Sequence, residues 1–152
     1  MKMWCTSSYT GETYCPEDSI RIVNPKQVLF YICKGITIQD VFPSQKYQDG
    51  EETLVFTVDK RATQDAYIDW QNTPKINKTI LDDCDFPVLG LDEVKILNLK
   101  QVVFYLKHDA RLIRMQPIVD RVTEDPVLAF IFDKKETADI YASWKKIKAG
   151  SR

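Results

Sequence analysis

Asn24–Gly35 reads NPKQVLFYICKG, and 74 positions later Asn98–Asp109 reads NLKQVVFYLKHD. The agreement extends outward in both directions. Residues 20–70 laid over 94–144 need no gap, and 16 of the 51 positions are identical, with Phe30, Phe56, Tyr67 and Trp70 recurring as Phe104, Phe130, Tyr141 and Trp144. A module repeated twice predicts a pseudo-dimer rather than a solenoid, which normally needs three or more repeats to bury a continuous core. A unit of this size is also marginal alone, so duplication would supply its packing partner permanently.

Within each copy the punctuation is local. A short strand, IRIV, leads to Asn24 as a helix N-cap with Pro25 at the first helical position, where its missing N–H costs nothing. Gln27 and Gln101 each follow their Asn by three residues, the spacing of a capping box. Gly35 supplies a left-handed residue to end the helix, and Asp109 stands at the same point in the second copy. ITIQDVF and LVFTVD then read as strands around the turn signal QDGEE, replaced by TEDPV in copy two. A last helix is expected to open at Asp59 and at Asp133, with Glu136 completing a capping box, and to carry Thr63, Tyr67 and Trp70 on one face.

The fold class that follows is α+β: two tandem β-α-β-β-α repeats packed as an intramolecular pseudo-dimer. The chain divides into an N-terminal extension (1–19), module 1 (20–70), an ordered acidic linker (71–93), module 2 (94–144) and a basic tail (145–152). Phe30, Phe56, Trp70, Phe104, Phe130 and Trp144 are the expected core. In the last strands, alternation puts Leu54, Phe56 and Val58 on the helix side and Val55 and Thr57 on the other, where copy two has Ala129 and Ile131. That second face is apolar enough to need cover, either from the other copy or, if the sheets join edge to edge, from a partner. The linker holds Ile76, Ile80, Leu81, Phe86, Val88, Leu89 and Leu91, so it reads as a strap packed on the modules, and the N-terminal residues promise a further strand pair.

The chain has 152 residues, 44% of them hydrophobic, enough for a sizeable core, and its formal charge is only −1. Neither the basic excess of a nonspecific duplex binder nor the acidic excess of a DNA mimic is present. No stretch approaches a membrane span or a signal h-region, so a cytoplasmic location is expected, with no membrane partner. The four cysteines, 5, 15, 33 and 84, lack the close spacing of a zinc site and read as free thiols; Cys5 and Cys15 would be the pair in an oxidising compartment. No metal and no cofactor are expected.

Catalytic patterns are missing as well. His108 is the only histidine and falls in the last turn of a helix, where it suits the carbonyl end; no Gly-rich phosphate loop or nucleophile motif accompanies it. The expectation is a non-enzyme. The distinctive surface is basic and belongs to copy two: Lys107, Arg111, Arg114 and Arg121 replace Cys33, Thr37, Asp40 and Tyr47. With Ile113 and Met115, placed opposite Leu112 by strict alternation, these residues form the candidate interaction surface.

The stretches RIVNPKQVLFYICKGI and LVFTVDKRATQDAYIDW resemble a group of very short proteins of gut Firmicutes and their phages, marked by an Asn or Thr helix cap, Phe-Tyr, Lys-Gly and a closing FxFDK…T…W. Copy one matches the pattern more fully, since copy two reads Asp109 for the glycine. The resemblance implies phage counter-defence, including inhibition of CRISPR effectors, and a small fold similar to that of the single-stranded-DNA-binding transcriptional coactivators. The expected partner is therefore a host defence complex, an RNA-guided nuclease among the candidates. Nucleic acid bound by the basic side of copy two is the alternative, a structural protein the third, and a second copy of the chain a further candidate partner.

Overall fold

Asn24 accepts a hydrogen bond from the Lys26 N–H at 3.0 Å, and Asn98 accepts from Lys100 and Gln101, so both repeated helices start where the caps predict. In the computed structural model, which describes residues 3–45, 52–73, 75–82 and 84–150, these helices are α1 (Pro25–Cys33) and α3 (Leu99–Lys107). They end alike, through left-handed Gly35 (φ 82°) and left-handed Asp109 (φ 63°). The capping boxes are only half made. Gln27 and Gln101 do not turn back to their caps but donate to the hydroxyls of Tyr31 and Tyr105, at 3.1 Å in both copies.

The remaining elements recur at the same offset. Module 1 has β3 (Ser19–Ile22), β4 (Asp40–Gln45), β5 (Glu52–Asp59) and α2 (Gln64–Gln71); module 2 has β6 (Glu93–Ile96), β7 (Leu112–Val119), β8 (Pro126–Asp133) and α4 (Ala138–Gly150). Each module forms an antiparallel three-stranded sheet, ordered β3-β5-β4 and β6-β8-β7. β1 (Cys5–Thr6) and β2 (Thr13–Tyr14) form the expected N-terminal pair. β4 begins at Asp40 rather than at Ile36, and most of the QDGEE turn lies outside the described residues. In copy two the turn is closed by left-handed Glu124 (φ 62°), with Asp120 accepting from Val122 and Thr123.

The last helices start later than the sequence suggests. Asp59 accepts from the Ala62 N–H and Asp133 from the Glu136 N–H, closing a turn before the helix proper, while buried Thr63 and Thr137 donate to the carbonyls of those same aspartates. The Glu136 side chain instead accepts from the Arg111 N–H at 2.7 Å. α4 runs through Gly150, so six residues assigned to a basic tail continue the helix.

The two modules share one core. α1 packs on β7 and β8 of the other module, and α3 reciprocally on β4 and β5. Phe56 and Phe130, both 0% exposed, face each other across the centre with ring centroids 6.3 Å apart. Phe30 is buried and Phe104 half-buried; each meets its own module's tryptophan in a tilted ring contact, Trp70 at 5.6 Å and Trp144 at 5.5 Å. Both tryptophans are only partly buried, sealing the core's ends, and Tyr67 and Tyr141 project into solvent. His108 lies against Phe104 with its Nδ1 2.8 Å from the Phe104 carbonyl, where the equivalent Lys34 sits over Phe30.

The other copy is therefore not the cover of the outer sheet faces, because it already occupies the inner ones. Sheet one is covered by the N-terminal segment instead, through Asp40, which lies cross-strand from Thr57 and accepts from Ser7 Oγ, Ser8 N–H, Ser8 Oγ and Tyr14 OH. The linker is hydrogen-bonded to sheet two at Pro87 and Gly90, and Ala129 and Ile131 are buried at 0% exposure.

Candidate interaction surface

Arg114 occupies the position in module 2 that Asp40 occupies in module 1, and it also anchors a cover. Its guanidinium grips Glu93 through two parallel bonds, Nη1 to Oε2 at 2.7 Å and Nη2 to Oε1 at 2.9 Å, while Nε donates to Gln116 Oε1 at 2.7 Å. Glu93 in turn accepts from the Gly90 N–H, and Gln116 Nε2 donates to the Pro87 carbonyl, both at 2.9 Å. The linker segment 87–90 is thus pinned at both ends. One repeated position carries opposite charges in the two copies, and each charge holds a different peptide over its own sheet.

The hydrogen bonds from Arg114 and then from the Gly90 N–H hold the Glu93 carboxyl down to about 2, against an ordinary 4.5. A lowered folded-state value means that the anchor is complete above the unfolded value and is lost as pH falls through the folded one. Acidification from about 4.5 towards 2 is therefore expected to free the Gly90 end of the segment, read as a rise in Gly90 amide exchange, relative to Phe130, beyond the change that pH itself imposes. Glu93→Gln should show the fast exchange already at neutral pH; equal protection in that variant would contradict the anchor.

The other candidate residues are dispersed. Lys107 reaches across the modules to Glu52 at 2.6 Å, a solvent-exposed pair of small energetic value. Arg111 and Arg121 are exposed, and neither is in an ion pair among the described residues. Met115 is not on the surface. A bulge between Leu112 and Arg114 inserts Ile113 as an extra residue, which reverses the alternation, so Ile113 is 39% exposed and Met115 faces the core. Met115 takes the place of Val41 in copy one, and the gapless alignment carried that signal.

The exposed apolar feature that sequence reasoning missed lies on the pinned linker. Ile76 and Ile80 pack on the core as expected, but Val88 is 91% exposed and Leu91 is 99% exposed. Val122, in the β7–β8 turn, is 91% exposed. Composition alone could not separate these from the buried linker residues; the pairing of Pro87 and Gly90 with β7 and β6 decides which side chains turn out. All four cysteines are unpaired, and among the described residues no cluster of His, Cys, Asp and Glu is arranged for a metal ion. No described helix is long and apolar enough to cross a membrane. No family model matches the chain, and neither a curated protein nor a solved structure matches it.

Proposed function

We propose that the chain is a non-enzymatic interaction protein that docks on a protein partner and occludes it, a counter-defence protein of the anti-CRISPR kind acting on a host defence complex such as an RNA-guided nuclease. The observation that carries the docking reading is the pinned linker. Val88 and Leu91 are held in water on a backbone fixed at Pro87 and Gly90. Apolar side chains ordered in advance lose little further entropy on association and gain from leaving water. The choice of a defence complex as target rests on the resemblance of residues 21–36 and 54–70 to the phage-borne group.

Two of the basic residues favoured for nucleic acid are engaged internally, Arg114 with Glu93 and Lys107 with Glu52. That leaves Arg111 and Arg121 for phosphate and supports protein docking over the nucleic-acid alternative. Capture of the tagged chain's partners from a phage-defended bacterial lysate, with and without nuclease treatment, tests the proposal. A defence-complex subunit is expected to survive digestion, and Val88→Asp with Leu91→Asp to weaken its capture at least about tenfold while thermal stability is unchanged. Recovery of nucleic acid alone, lost on digestion, would move the reading to the basic residues.

A further inference from the structure

A groove of about 490 Å³ opens between β6, α3 and the first turn of α4, within the range of ordinary small-ligand sites. Its walls are mainly apolar, from Val94, Ile96, Ala138 and the ring of Tyr141. Tyr105 and Gln101 supply its polar part. Tyr105 is 1% exposed, and its hydroxyl accepts from Gln101 Nε2 at 3.1 Å, yet it has no acceptor for its own proton among the described residues. A phenol so buried normally donates as well as accepts.

The residues lining the groove carry charge of one sign, with Asp139 next to them in the first turn of α4. Lys134 and the β6 backbone at Lys95 line the groove, no carboxylate does, and the Lys134 ammonium has no ion-pair partner among the described residues; the Lys95 side chain starts from the outer face, cross-strand from Ile131. In module 1 the residue equivalent to Lys95 is Arg21, which lies over the Phe42 ring at 5.7 Å. Copy two has Gln116 in place of Phe42, already committed to Arg114 and Pro87, so Lys95 has no such ring to lie on. The N-terminal end of the thirteen-residue helix α4, at Ala138, adds the positive end of its dipole.

We propose that this groove binds a small organic anion: an apolar body seated against Tyr141, Val94 and Ala138, and one anionic group met by Lys134 at the N-terminal end of α4, with the Tyr105 hydroxyl donating to an acceptor on the ligand. A fatty acid, an aromatic acid and a nucleoside monophosphate share that chemistry. The proposal is independent of the docking role assigned to the linker.

Titration of the isotope-labelled chain with naphthoate, decanoate, adenosine monophosphate and neutral naphthalenemethanol, followed by amide shifts, distinguishes these sources. At least one anion is expected to perturb the amides of Val94–Ile96, Gln101 and Thr137–Tyr141, and the best of the three names the ligand type. Lys134→Gln should weaken the anions about tenfold and leave naphthalenemethanol unchanged, while Lys95→Gln, on the outer face, should change neither. Ala138→Trp, an exposed position that fills the groove without disturbing the core, should abolish binding of all four. Shifts confined to other regions, full binding by Ala138→Trp, or no perturbation of these amides by any anion would overturn the proposal.

Discussion

Phe130→Ala is expected to lower the unfolding free energy by about 3–5 kcal/mol, and Phe56→Ala by a similar amount, each read as a fall in denaturant midpoint. Both rings are wholly buried, come from different modules and meet at 6.3 Å in the middle of the molecule. Neither ring belongs to one module alone. The helices that enclose Phe130 include α1 of the other copy, packed on β7 and β8, so a void there removes contacts from both halves. The loss should appear equally in the signals of both modules. A change confined to module 2, or a loss below about 1 kcal/mol, would mean that each module keeps its own core.

Asp40→Ala is expected to cost about 2–4 kcal/mol, because it strips the acceptor from four donors of the N-terminal segment at once. Ser7 is buried with Asp40, so part of the cost is the desolvation of groups left without partners. The Tyr14 hydroxyl illustrates the coupling: burial first, and then its bond to Asp40, push its pKa up to about 12. Asp40→Asn keeps an acceptor and should recover about half of the loss. In Asp40→Ala the amides of Ser7–Thr10 should lose protection and Val55 and Thr57 should become accessible. Wild-type protection of the Ser7–Thr10 amides would show that apolar contacts, not this carboxyl group, hold the cover.

Much of the chain's local structure is legible in its sequence because local chemistry decides it. Asn24 and Asn98 cap, Gly35 and Asp109 terminate, and the elements between them recur 74 residues apart. What periodicity cannot carry is which sheet a helix covers. α1 has the same apolar face whether it lies on its own strands or on β7 and β8, and only the lengths and directions of the connections choose between them. The bulge at Ile113 escaped strict alternation for a related reason: one extra residue leaves composition unchanged and reverses every side chain beyond it. Arg114 read as surface charge because an arginine on a strand usually is one. Its partners Glu93 and Gln116 lie 21 positions before it and two after, a constellation that only the folded sheet assembles.

The shared core is the claim on which the rest stands, since it consumes both inner faces and leaves the outer covers as the contact surfaces. Equilibrium unfolding of two variants tests it most directly, one retaining only Trp70 and the other only Trp144 as the fluorescent tryptophan, each corrected for its own stability by far-ultraviolet dichroism. Each tryptophan's transition is expected to coincide with the loss of all secondary structure, because modules 1 and 2 unfold as one unit. A tryptophan signal that changes at a distinct midpoint, with half of the dichroism still in place, would contradict it.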